Sequence, residues 1–219
     1  MSTKLLVKGN TKLGPDIWTW SIDHSSCIAK TAVCNKICYV KDYMSRYKAV
    51  QPAYVDRMVS SLAPSFTADM IAEIVKCGAG QVRIHVCGDF YSLEYLQKWI
   101  DIASQMSNCT FSCFTRVWKL PDFTPKLAEF GALSNVKLIL SLDQDNVKIP
   151  VPGALNSLKT AYLSLNDADL PPAGTFVDFR HERKTLQYKL NGVRVCPHEY
   201  SNSKKHKAIK CSRCLKCYK

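Results

Sequence analysis

Three cysteines near the carboxyl end, Cys211-Ser-Arg-Cys214-Leu-Lys-Cys217, stand at x2, x2 spacing and follow an isolated Cys196-Pro197. Thiolates two residues apart can wrap one compact metal centre. The x2, x2 run is typical of cubane iron–sulfur ligation, whereas structural zinc sites usually use two separated pairs of ligands. A 4Fe-4S core takes four ligands, and Cys196 is the obvious fourth. Zinc on the same four cysteines is the rival reading. Free thiols at this density would be an oxidation liability, and a metal would order a tail that has almost no apolar face.

A second constellation, Cys27-(x6)-Cys34-(x3)-Cys38-Tyr39, lies near the amino end. Three thiolates in one loop can hold three irons of a cubane and leave the fourth with the open position that chemistry needs. His24 could close the site instead. The cysteine before a proline serves the other cluster in some two-cluster proteins, so Cys196 could also join Cys27, Cys34 and Cys38. Cys77, Cys109 and Cys113 lack such spacing and read as small buried hydrophobes. Cys87 ends a strand beside Gly88-Asp89; burial is its plainer reading and ligation the other.

The remaining composition agrees with a metal-bearing globular chain. Eleven cysteines in 219 residues is an odd total, which speaks against a closed disulfide framework. Hydrophobic residues make up 47% and charged residues 22%, which excludes a disordered or low-complexity chain. No stretch approaches the roughly 18 apolar residues of a membrane span, and Met1 to Asn10 lacks a signal-peptide core. The expected address is therefore the cytoplasm. The formal charge is +12, and Arg180 to Lys219 holds twelve Lys/Arg against Glu182 and Glu199.

Elements that could position the cysteines follow from periodicity. Ile17 to Asp23 alternates as a strand; one or two helices fit Lys41 to Leu62. A further helix buries Phe66, Met70, Ile71, Ile74 and Val75 and stops at Gly78 and Gly80. Gln81 to Val86 is a second strand, and Ser92 caps a helix reaching about Met106. Strand Thr110 to Thr115, helix Pro125 to Leu133 and strands Val136 to Leu142, Thr160 to Leu165 and Thr175 to Phe179 complete about six strands. Such alternation implies a parallel α/β sheet, either an incomplete barrel or an open doubly wound sheet. Residues 183–219 read as an irregular, basic appendage to a domain over residues 1–182.

The first strand, the loop ending Cys38-Tyr39 and the second strand ending Gly88-Asp89 resemble the radical SAM enzymes. That resemblance implies a parallel-stranded partial (β/α)6 barrel with a cluster loop after strand one. More closely, Trp18-Thr19-Trp20-Ser21, Cys34-(x3)-Cys38-Tyr39, Arg83-Ile-His-Val-Cys-Gly-Asp-Phe-Tyr-Ser92, Phe114-Thr-Arg116 and the terminal cysteine run are similar to the phage gene-product-88-like family, over most of the chain. The resemblance implies that Cys27, Cys34 and Cys38 ligate a cluster whose fourth iron takes the amino and carboxylate groups of S-adenosylmethionine. Asp89 would accept from that ammonium, and Gly88, Tyr39, Arg116 and Ser141 would also contact the cofactor. The cysteine spacing departs from the usual x3, x2 of those enzymes.

Asp143, Ser164, Asn166, Asp178, Arg180 and His181 also fall near strand ends and read individually as solvated loop residues. His85 reads as a satisfied core histidine, and Tyr43, Tyr47 and Tyr54 as packing. Three functions follow. The first is a radical-SAM-type enzyme that modifies an anionic substrate, with a flavodoxin or ferredoxin as reductant. The second is a non-enzymatic iron–sulfur electron carrier or redox sensor, and the third a zinc-stapled nucleic-acid-binding protein. The basic carboxyl end makes nucleic acid a candidate partner, although lysines also offset cluster charge.

Overall fold

The computed structural model describes residues 4–166, 168–181, 189–200 and 209–219. A seven-stranded sheet forms its frame: β1 (Val7–Lys8), β2 (Trp18–Trp20), β3 (Gln81–Ile84), β4 (Thr110–Thr115), β5 (Val136–Leu142), β6 (Lys159–Ser164) and β7 (Val177–Arg180). Strands lie in chain order, β2 to β7 all parallel, with β1 antiparallel on the β2 edge. The order never reverses. A doubly wound sheet requires a reversal at its switch point, so that alternative falls. The six parallel strands are the six expected; β1, two residues long, is too short to carry a period.

The β5–β6 connection holds a 3-10 turn (Gly153–Leu155), and the described residues between β6 and β7 form no helix. Helices fill the connections from β2 to β5. They are α1 (Ala32–Lys36), α2 (Tyr39–Arg46), α3 (Val50–Leu62), α4 (Phe66–Cys77), α5 (Leu93–Gln105) and α6 (Thr124–Ala132). Gly78 ends α4 in the left-handed conformation at φ 59°, and its N–H reaches the Ile74 and Val75 carbonyls. Ser92 caps α5, its hydroxyl accepting from the Tyr95 N–H at 3.1 Å. Beyond β7 come a hairpin of β8 (Lys189–Leu190) and β9 (Val193–Arg194), then α7 (Pro197–Tyr200), α8 (Cys211–Cys214) and a 3-10 turn at Lys216–Tyr218.

Alternation along the strands serves two cores. Val82, Ile84, Phe111, Cys113, Leu138 and Leu140 face α4, α5 and α6 in the larger one. Within it, Trp20 stands 5.1 Å from the Phe66 ring and donates its indole N–H to the Tyr95 hydroxyl at 2.7 Å. Aromatic pairs of this kind add about 0.5–1.5 kcal/mol each beyond area burial. The opposite face carries Ile139, Ala161 and Val177, packed with Cys196, Phe114, Phe179 and Cys217. There the carboxyl-terminal run covers the sheet.

The described part of the 183–219 segment is thus organised by apolar packing and backbone hydrogen bonds. Tyr218 packs with Leu13 and Ile17, Cys211 N–H donates to the Lys12 carbonyl at 2.9 Å, and Cys196 N–H donates to the Asp178 carbonyl at 2.8 Å. Those anchors are single apolar residues in a polar run, which periodicity does not reveal. Residues 183–188 and 201–208, and the expected boundary at residue 182, lie outside the described residues.

Candidate metal centre

At the carboxyl ends of the parallel strands lies a cavity of about 490 Å³. Cys27, Cys34 and Cys38 line it, and so do Cys196, Cys211, Cys214 and Cys217. Tyr39, Gly88, Asp89, Arg116 and Ser141 line it as well, so every residue singled out for cofactor or metal from the sequence meets there. Cys87 and His24 join them; Cys77, Cys109 and Cys113 do not. Cys109 and Cys113 are buried in the helix-side core, and Cys77 is only partly covered.

The amino-terminal thiols are held by a polar lattice. Thr31 caps α1, its hydroxyl accepting from the Cys34 N–H at 3.0 Å and donating to Asp143 Oδ2 at 2.7 Å. Asp145 accepts from the Val33 N–H at 2.8 Å. Arg116 donates to Asp143 through Nε at 3.2 Å and Nη2 at 3.1 Å. The cysteine loop is therefore fastened to the ends of β4 and β5. Tyr39 adds a link to the end of β3, its hydroxyl donating to the Val86 carbonyl at 2.6 Å.

Asp89 is buried and accepts from the Phe90 N–H at 2.8 Å, the Thr115 hydroxyl at 2.7 Å and the Arg116 N–H at 2.8 Å. Burial pushes its carboxyl above the ordinary range, opposed by those donors. A carboxylate offers about four acceptor positions, which leaves Asp89 one for a ligand. Gly88 permits the approach: at φ 96°, a Cβ there would stand 2.4 Å from Ile22 Cγ1. Ser141 is buried, and its carbonyl accepts from the Trp118 indole and the Asn146 amide.

Two cations escaped the sequence reading. Lys12 bridges to Glu199 at 2.7 Å and lies 4.9 Å from the centre of the Phe179 ring. Burial alone would lower the Lys12 pKa; Glu199 and Cys196 more than offset that and raise it. Arg83 lies 4.0 Å from the centre of the Phe114 ring, and its buried Nε has no hydrogen-bond partner among the described residues. Arg83 occupies the polar position of an apolar-polar alternation, which signals solvent until the carboxyl-terminal run covers that face.

The thiols themselves are hard to ionise in a cavity without metal. Burial pushes Cys27 up to about 12, with Asp89, Cys34 and Cys38 adding repulsion. Burial likewise raises Cys196 to about 12, opposed by Lys12, and Cys217 to about 11, opposed by Arg83. A bound cationic core reverses this balance, because coordinating thiols lose their protons.

Several strand-end residues expected to be solvated are buried instead. Asp178 bonds to Ser164 at 2.5 Å and to Arg180 Nε at 3.0 Å, and Glu199 accepts from the Arg180 N–H at 2.7 Å. The tail covers these groups, which local sequence cannot foresee. Asn166 turns the loop after β6, and His181 lines the cavity. His85 is buried with Nε2 2.9 Å from the Tyr95 hydroxyl, at φ 58°. Tyr43 and Tyr47 pack ring against ring at 4.7 Å on the surface, and Tyr54 packs beside Arg57.

Fold and site together define an α/β protein with a sequentially ordered, mostly parallel sheet and a thiol-lined cavity at its strand ends. The chain belongs to the gene product 88 family, whose profile matches residues 4–219. It is 30% identical to the "Gene 88 protein" of Mycobacterium phage D29 over 135 residues, covering 57% of this chain and 55% of that protein. The "Gene 88 protein" of Mycobacterium phage L5 is 29% identical, with the same coverage. The match thus spans about half the length of these relatives. No solved structure matches. Among the described residues no helix is long and apolar enough to cross a membrane.

Proposed function

We propose that this protein is an iron–sulfur protein on a radical-SAM-like partial (β/α)6 barrel, with 4Fe-4S clusters in the strand-end cavity. Cys27, Cys34 and Cys38 would hold one, and Cys196, Cys211, Cys214 and Cys217 the other. One observation carries the reading: two cysteine groups from opposite ends of the chain line one cavity. The donor set fits, since soft thiolates select iron–sulfur or zinc over hard cations.

Spacing favours the cluster over zinc. A zinc ion draws its thiolates to about 2.3 Å from one point. The x2, x2 run of Cys211, Cys214 and Cys217 is the spacing usual for cubane ligation, whereas structural zinc sites usually use two separated pairs of ligands. A cubane distributes its ligands over four metals and so accepts thiols spread around a wider space.

When bound, a cubane supplies one-electron redox chemistry. The protein's own residues hold the thiols and set their surroundings. Thr31, Asp143 and Asp145 fix the amino-terminal loop. Lys12 and Arg83 face the carboxyl-terminal thiols and offset the negative charge of a four-thiolate site. Phe114, Phe179 and Tyr218 limit water around them.

A second reading, cleavage of S-adenosylmethionine to modify an anionic or nucleic-acid substrate with a flavodoxin or ferredoxin as donor, is favoured by one feature. Asp89 retains an acceptor position close to Cys27, in a cavity of a size usual for small-molecule ligands. Electron paramagnetic resonance on anaerobically purified, dithionite-reduced protein separates the readings. A cubane signal indifferent to S-adenosylmethionine supports the redox protein. A signal that shifts, with 5′-deoxyadenosine formed under strong reductant, supports the enzyme; no cubane signal refutes both.

A further inference from the structure

The amino-terminal set counts three cysteines in sequence and so leaves a cubane one ligand short. We propose that Cys87 is the fourth ligand of that set, which makes the cavity a pair of four-thiolate sites with no open iron. The proposal rests on the cluster reading above and deepens it.

Geometry brackets Cys87 between the neighbours of Cys27 and Cys38. Its own backbone is tied to the strand from which the cysteine loop departs: Cys87 N–H donates to Ser21 Oγ at 3.3 Å, and its carbonyl accepts from the Ile22 N–H at 3.2 Å. The preceding residue, Val86, accepts from the hydroxyl of Tyr39, which follows Cys38. The following residue, Gly88, packs on Ser26, which precedes Cys27; a Cβ at Gly88 would lie 2.8 Å from Ser26 Oγ. Asp89 N–H reaches the same hydroxyl at 3.3 Å. Cys87 lines the same cavity as these thiols, and after burial the repulsion of Cys27 and Cys38 bears most on it.

The other set is complete without Cys87. Cys196 and Cys217 pack on the same apolar group, and Cys211 and Cys217 share a second one with Tyr218. Cys196 therefore belongs with the tail rather than with Cys27, Cys34 and Cys38. Eight cysteines line the cavity and three do not, and eight is the complement of two cubanes.

Saturation has a chemical consequence. A cluster with every iron held by a thiolate has no position for the amino and carboxylate groups of S-adenosylmethionine or for a substrate oxygen. Asp89, already holding three donors, then serves to shape the strand end.

The test is anaerobic reconstitution of the full chain with iron and sulfide, for the wild type, Cys87→Ala, Cys87→Ser and the off-cavity control Cys77→Ala. The wild type and Cys77→Ala are expected to hold about eight irons, two cubanes of four, with a reduced spectrum unchanged by S-adenosylmethionine. Cys87→Ala should lose one iron on mild oxidation, to about seven, and show a three-iron signal. Cys87→Ser, which keeps the size of the side chain should alanine not fold, should retain the iron with an altered reduced signal. A wild-type spectrum and iron count in both Cys87 variants would overturn the assignment and leave the cluster reading standing. So would a wild-type signal that shifts with S-adenosylmethionine. Wild-type protein without iron and sulfide would overturn both.

Discussion

Replacing Asp143 with alanine removes a fully buried carboxylate that holds Arg116 at 3.1 Å and the Thr31 hydroxyl at 2.7 Å. The Arg116 guanidinium, only 16% exposed, then loses its ion-pair partner, and the hydroxyl that caps α1 at Cys34 loses its acceptor. Breaking one side of a buried pair costs about 3–5 kcal/mol. With an m-value of about 2 kcal/mol/M, the urea midpoint should fall by about 1.5–2.5 M. Asp143→Asn keeps shape and one acceptor, so its cost should be about 1–3 kcal/mol. Tryptophan fluorescence during urea unfolding measures both, and thiol alkylation of Cys34 should quicken in Asp143→Ala alone. A midpoint for Asp143→Ala within about 0.3 M of wild type, at unchanged m, would refute the claim that this carboxylate fastens the cysteine loop.

Further expectations follow from the same contacts. Gly88→Ala forces a Cβ to 2.4 Å from Ile22 Cγ1 at φ 96°, so it should destabilise by about 1–3 kcal/mol and lower the melting temperature by several degrees in a circular dichroism scan. Glu199→Ala removes the partner of Lys12, whose side chain is 32% exposed, and the acceptor of the buried Arg180 N–H; a loss of about 1–3 kcal/mol is expected by the same denaturation assay, and a neutral result would deny that this pair anchors the tail. Burial raises Cys27 and Cys196 to about 12, so both are protonated in metal-free protein near neutrality and must release protons to bind metal. Apparent metal affinity should therefore rise with pH, with proton release in weakly buffered titration, and pH-independent binding would contradict it. Cys217→Ala leaves three thiolates at the carboxyl-terminal site and should likewise lower the iron count to about seven per chain on mild oxidation, with the amino-terminal cluster spared.

Strand and helix periods carried most of the frame. Phe66, Met70, Ile71 and Ile74, Ser92 and Thr110 to Thr115 lie in the elements their patterns imply, because their apolar faces meet one helix-side core; Val75, expected on the same α4 face, is instead 66% exposed at its edge. Patterning could not reveal that the other sheet face is buried too. Arg83, Asp178 and Arg180 occupy positions that look solvated and are covered by a tail distant in sequence. Six of the seven candidate metal cysteines stand out by spacing and Cys196 by the need for a fourth ligand, whereas Cys87 has no spacing signal. Its company with Cys27 and Cys38 arises only where β3 ends against the loop after β2. Lys12 and Glu199, far apart in the chain, were invisible as a pair for the same reason.

The central claim is tested most directly by iron and acid-labile sulfide quantitation on protein purified without air. The cluster reading predicts brown protein with iron and sulfide in equal amounts, at about eight of each per chain. Colourless protein carrying zinc, or no metal at all, would contradict it.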